Sequence, residues 1–129
     1  ALTTGRDAVL LAYGPVMLHE ALTAAELLAE QGFGLKVIDM PWLNRVDADW
    51  LAETIGPYPR VFVLEDHAPV GGLADSLLGA LAAGGESSRP VIKLAVEGYP
   101  ACGTPAEALR HHRLDGASLA VRITGATTL

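Results

Sequence analysis

The residues of this sequence best placed to do chemistry lie in one run, Glu65-Asp66-His67-Ala68-Pro69-Val70-Gly71-Gly72. Two carboxyl groups and an imidazole stand side by side, and two glycines follow, directly before an apolar helical pattern. His67 in such a place can donate a proton or hold an anion, because imidazole titrates near neutral pH. The glycine pair permits positive φ and close backbone approach, and the first turn of a helix offers free N–H groups to negative charge. The same residues have a structural reading, in which the acidic pair and His67 cap the loop and face a neighbouring domain. On residue types alone the structural reading is favoured. Gly14-Pro15 makes a second turn of the same kind, with Pro15 setting the entry to a helix and Gly14 letting the backbone turn sharply. If the strands before the two turns are neighbours, Gly14, Glu65, Asp66, His67, Gly71 and Gly72 border one crevice, a candidate anion or interface site. Loop-to-helix packing explains the glycines equally well.

Other catalytic signatures fail. His19-Glu20 opens like the two-histidine zinc-protease pattern, but position 23 is Thr, which removes the second ligand. Neither Gly-x-x-x-x-Gly-Lys-Ser/Thr nor Gly-x-Ser-x-Gly occurs, and Gly32-Phe33-Gly34 follows a helical pattern instead of a strand. His67, His111 and His112 lack metal-ligand spacing, so no metal site is expected. Cys102 is the one cysteine, which excludes an intramolecular disulfide and every paired-cysteine zinc motif. No base adjoins it in sequence to activate the thiol. Trp42 and Trp50 flank Asn44-Arg45-Val46-Asp47, where they either seal the end of a sheet or mark an interface.

The elements that must position these residues alternate along the chain. Short, nearly continuous apolar runs at Ala8 to Tyr13, Leu35 to Met40, Arg60 to Glu65 and Val91 to Val96 read as strands covered on both faces. Leu2 to Thr4 is the end of a further edge strand. Between the runs, Val16 to Gln31 and Leu73 to Ala83 have helical spacing and end at glycines. Asp47 caps a short helix through Ile55, Thr104-Pro105-Ala106-Glu107 is a capping box, and Asp115 starts a last turn towards Ile123. This is the pattern of an α/β sheet with helical crossovers.

The 129 residues suit about one domain, large enough to bury a core without metal or disulfide. Nine basic against fifteen acidic residues leave a net charge of −6, so the electrostatic driver for nucleic acid or an anionic membrane is missing. The longest clean apolar run, Ala8 to Tyr13, falls far short of the roughly 20 residues of a membrane span. Without an export leader pattern, the cytosol is the expected compartment. A mean hydropathy of +0.32 is high for a soluble monomer and suggests apolar surface that something else covers.

Taken in order, these segments resemble a known family. Ala12-Tyr13-Gly14, followed by His19-Glu20-Ala21-Leu22-Thr23-Ala24-Ala25-Glu26-Leu27-Leu28, resembles the opening of the C-terminal domain of transketolases. Val37-Ile38-Asp39 with Val46-Asp47 is similar to its second strand and turn. Glu65-Asp66-His67 with Gly71-Gly72-Leu73 is similar to its acidic Gly-Gly motif, and Ala74 departs from the Gly often found there. Gly103-Thr104-Pro105-Ala106-Glu107-Ala108-Leu109 and Leu114-Asp115-Gly116-Ala117-Ser118-Leu119-Ala120 resemble its closing helices. The domain is shared with deoxyxylulose-phosphate synthase and the β subunits of 2-oxoacid dehydrogenases, but the Glu-Asp-His and Gly-Thr-Pro-Ala-Glu wording tilts towards transketolase.

The resemblance implies a three-layer α/β/α fold with a mixed five-stranded sheet of order 1-3-2-4-5, strand 1 antiparallel. Residues 1–129 would be one such domain from a longer chain, with 1–6 a partial edge strand and 124–129 a tail. The family moves a two-carbon ketol unit between sugar phosphates, using thiamine diphosphate and a divalent metal such as Mg2+. Those contacts belong to the domains upstream. This chain has no Gly-Asp-Gly, and Asn44 is its only Asn. Hence the chain is expected to bind no cofactor, to carry no catalytic residue and to be inactive alone. Its partners would be the upstream cofactor-binding domains of the same or a sister chain, within a homo-oligomer, and its role packing and dimer assembly. A regulatory phosphate- or nucleotide-binding module at the Gly14 and Gly71-Gly72 turns is the rival reading.

Overall fold

The structure, a computed structural model, describes residues 1–86 and 88–126. Its elements follow in the order β1 (Ala8–Ala12), α1 (Pro15–Glu30), β2 (Leu35–Asp39), α2 (Ala48–Ile55), β3 (Val61–Leu64), α3 (Leu73–Ala83), β4 (Val91–Leu94), α4 (Pro105–His111) and α5 (Gly116–Gly125). The strands pair in parallel in the order β2-β1-β3-β4. Alternate residues of β1 explain why its sequence shows no polar alternation. Ala8, Leu10 and Ala12 pack with α1 and α5, while Val9 and Leu11 pack with α2 and α3. With helices on both faces, every side chain of β1 and β3 is buried, as parallel sheets require.

The expected fifth strand does not form, and the sheet is four-stranded and all parallel. Residues 1–6 still lie along the outer edge of β2, so the order of segments agrees with the expectation. Leu2 N–H donates to the Val37 carbonyl (2.8 Å), but the next contacts run through a side chain. Thr3 Oγ1 donates to the Leu35 carbonyl (2.6 Å) and accepts from Val37 N–H (2.8 Å). A hydroxyl standing in for main-chain groups breaks the regular ladder. Gly5 then passes so close to Gly34 and Leu35 that a Cβ would overlap their backbone.

The helix starts follow the local signals. Asp47 accepts from Trp50 N–H (2.8 Å), and Thr104 and Glu107 form the reciprocal capping box. Asp115 caps α5, which runs ten residues to Gly125, two residues beyond the Ile123 towards which the sequence pattern points. Residues 124 and 125 therefore belong to a helix and not to a tail, and 127–129 lie outside the described residues. The chain leaves β1 for β2 on one side and returns to place β3 on the other, so the topological switch point falls between β1 and β3.

Candidate functional site

Ligands of open α/β sheets gather outside the carboxyl ends of the strands, at the switch point. Here that place lies between the turn after β1 and the loop after β3, with Ala12 opposite Leu64 in the register. The structure therefore brings the two turns singled out in the sequence together. Gly14 adopts φ 72 and ψ 158, a conformation essentially restricted to glycine, and its carbonyl accepts from Leu18 N–H in the first turn of α1.

Across from it, the side chains divide in role. Tyr13 Oη donates to Asp66 Oδ1 (3.0 Å), tying the two loops. Burial, then the bond to Asp66 and the charges of Asp66 and Glu65, raise the phenol's pKa well above its ordinary value, so it stays a donor. His67 is exposed, with Nδ1 2.8 Å from the Ala68 carbonyl. A carbonyl only accepts, so Nδ1 carries the proton.

Glu65 is the unusual member. It is fully buried, and among the described residues neither of its carboxyl oxygens has a hydrogen-bond partner. The backbone N–H groups of Leu73 and Ala74, in the first turn of α3, act on it and favour its charged form, short of a bond of standard geometry. Burial is the larger effect and raises its pKa, although Leu73, Ala74, His67 and Lys93 all pull the other way. Gly72 makes room for this carboxyl, because a Cβ at that position would overlap Glu65 Oε2.

Gly71 has φ 82, and its N–H donates to Asp75 Oδ2 (2.6 Å). Asp75 in turn pairs with Lys93 (2.5 Å), and Lys93 also donates to the Pro69 carbonyl (2.6 Å). The pairing with Lys93 and then the bond from Gly71 lower the Asp75 pKa. Sequence reasoning missed Tyr13, Asp75 and Lys93. Asp75 stands three residues after Gly72, a spacing at which a carboxylate can reach back to the start of its own helix; Lys93, inside an apolar strand run, gave no such signal.

The arrangement leaves the start of α3 fronted by the chain's own carboxyls. Asp66 is exposed at the crevice, Glu65 sits beneath it, and Asp75 takes up the Gly71 N–H. An incoming phosphate would meet negative charge there. Among the described residues no group of three or more His, Cys, Asp or Glu side chains is set to hold a metal ion. His112 Nε2 accepts from Ala101 N–H (3.0 Å) and stacks edge-on against His111 at 4.9 Å; Cys102 is exposed. Trp42 and Trp50 are exposed too, with the Arg45 guanidinium over the Trp42 ring. No helix of the described residues is long and apolar enough to cross a membrane.

Comparison with known proteins agrees with this architecture. Residues 1–119 match the family described as transketolase, C-terminal domain. Human transketolase is 32% identical over 123 residues, covering 95% of this chain and 19% of that protein. A putative transketolase C-terminal section from Methanocaldococcus jannaschii is 28% identical over 123 residues, covering 95% of this chain and 37% of that one. Among solved structures, a split gene transketolase described as an inactive beta4 tetramer superposes with a TM-score of 0.86 at 30% identity, over 99% of this chain and 41% of that chain. The chain thus spans about a fifth of the human enzyme and about two fifths of the other two.

Proposed function

The chain belongs to the transketolase C-terminal domain family, and from that premise we propose that it is the C-terminal domain of a transketolase, or of one subunit of a split transketolase, with a role in packing and subunit assembly and none in catalysis. The longer protein would transfer a two-carbon ketol unit between sugar phosphates, with thiamine diphosphate as the electron sink and a divalent metal on its diphosphate. On this reading residues 1–129 are one domain of a cytosolic homo-oligomer whose cofactor is held by other domains.

The observation that carries the reading is Glu65, buried at the first turn of α3. In ligand-binding α/β sheets that turn is left open to the ligand's phosphate. Here the chain's own carboxyl fills it. The residues of this chain do not fit a metal–diphosphate group, because carboxyls front the crevice and the described residues hold no ligand cluster. The same negative charge speaks against a regulatory phosphate site at Gly14 and Gly71-Gly72.

The test is ketol-transfer activity with thiamine diphosphate and Mg2+, measured on this 129-residue chain and on the natural gene product. Activity confined to a longer natural product is expected. Turnover by the isolated chain would overturn the reading.

A further inference from the structure

We infer that the carboxyl end of the sheet is a protein-docking face, and that its occupant is the remainder of the longer transketolase polypeptide, presenting an apolar knob ringed by Arg or Lys. The inference rests on the reading above and adds the surface and its chemistry.

Exposed apolar side chains are distributed unevenly. Of the large hydrophobic residues exposed among those described, Val16, Trp42, Leu43, Trp50, Val70 and Tyr99 belong to the four strand-to-helix connections or the first turns that follow them, and only Leu2 and Val121 do not. Tyr99 is 96% exposed and Val70 76%, values without a packing purpose in an isolated domain. Among these loops lies a recess of about 260 Å³, walled by Val16, Met17, Val96, Leu109 and Leu114, with Asp66 among its lining residues. That is below the roughly 300–1,000 Å³ of small-molecule sites, and a size that takes an apolar side chain as an interface anchor.

Charge selects the occupant. Asp39, Asp47, Asp49 and Asp66 are exposed around this end, while Arg45 lies on the Trp42 ring. Two copies of the face would set acid against acid, in a chain already at −6. A partner bearing Arg or Lys around an apolar centre fits instead. Geometry agrees in direction: from Gly5 back to Leu2 the chain runs along the outer edge of β2 the way that leads to its carboxyl end, with Leu2 reaching Val37 at mid-strand.

Hydrogen exchange on the natural gene product and on this chain tests the inference. Amides in the segments 40–50, 66–72 and 97–103 are expected to exchange at least tenfold more slowly in the natural product, with segment 117–125 unchanged. Tyr99→Asp in the natural product is expected to abolish that protection, and Val121→Asp to leave it. An active, longer product whose three segments exchange as in the isolated chain overturns the docking face and leaves the functional reading standing. A natural product with no ketol-transfer activity overturns that reading, and this inference with it. Protection that grows with the concentration of the isolated chain overturns the choice of occupant, because a second copy would then cover the face.

Discussion

Gly72→Ala isolates the packing of the buried carboxyl. At Gly72 the backbone has φ −98 and ψ −159, an extended conformation open to any residue, so backbone strain does not enter. Its effect must come from the side chain. The new Cβ would overlap Glu65 Oε2, stand 2.8 Å from Glu65 Cδ, and lie 3.2 Å from His67 Nδ1. Against an ordinary carbon contact of about 3.5–4.0 Å, the carboxyl must retreat by roughly 1 Å. Glu65 is fully buried, so it cannot simply swing into solvent. Overpacking of this kind costs about 1–3 kcal/mol. For a chain of this size each kcal/mol lowers the melting temperature by roughly 3–6 °C. Urea unfolding of wild type, Gly72→Ala, Glu65→Ala and the double variant gives the coupling. With the carboxyl gone, alanine at position 72 should cost within about 0.5 kcal/mol of zero, since its lower unfolded-state entropy and its weaker capping nearly cancel. An equal cost of Gly72→Ala in both backgrounds would refute the claim that Gly72 is required by Glu65.

Two further outcomes follow from the same geometry. Unfolded, Glu65 releases its proton near the ordinary value of 4.5, whereas in the fold burial holds the proton to higher pH. Between those points the folded chain binds the extra proton, so Glu65's contribution is complete below about pH 4.5 and is lost as pH rises through its folded pKa. The stability of wild type relative to Glu65→Gln should therefore fall as pH rises above about 4.5, and a difference independent of pH would show the carboxyl to be solvated. Gly116→Ala reverses a simple helix-propensity expectation. The new Cβ would lie 2.6 Å from Thr23 Cγ2 and 2.7 Å from Thr23 Cβ, forcing α5 off α1 at a cost of about 1–2 kcal/mol in urea. Thr23→Ala in the same chain should recover part of the loss, and a Gly116→Ala chain more stable than wild type would refute the close contact.

Most of the fold was legible because both strand and helix signals were strong. The strands are short apolar runs whose faces are both covered, and the run ends lie within a residue or two of the observed elements. Leu2 to Thr4 was harder to read. Its apolar and β-branched residues suit a strand, and only the position of the Thr3 hydroxyl, bonded to two groups of β2, shows why no ladder forms. The crevice was legible in outline, since glycines mark the turns that follow β1 and β3. Its character was not. Sequence places Glu65, Asp66 and His67 side by side, but their adjacency hides that Glu65 turns inward while Asp66 and His67 face water. Which way a side chain points after the last paired residue depends on where the strand stops, and element ends are the least secure part of a sequence reading. Lys93 is a similar case, a lone charge in an apolar run that only the fold brings to Asp75.

That inward turn bears on what the domain is for. A helix start at a switch point is a favourable seat for an anion, and the chain places its own Glu65 carboxyl there. A buried carboxyl without a hydrogen-bond partner lowers stability, so its presence calls for a reason other than holding this domain together. Asp66 and Asp75 tie neighbouring elements, to Tyr13 and Lys93 respectively, and do so at the surface where such pairs contribute little. Glu65 does neither. Its carboxyl instead occupies the space at Gly72 beside the α3 start, while acidic Asp66 is exposed and lines the apolar recess. On the proposed reading, this division would keep anions away from the proposed docking face. If so, Glu65→Ala should open the helix start, and phosphate at millimolar concentration should raise the melting temperature of that variant but not of the wild type. No shift in either chain would mean that Asp66 and Asp75 alone suffice to exclude the anion.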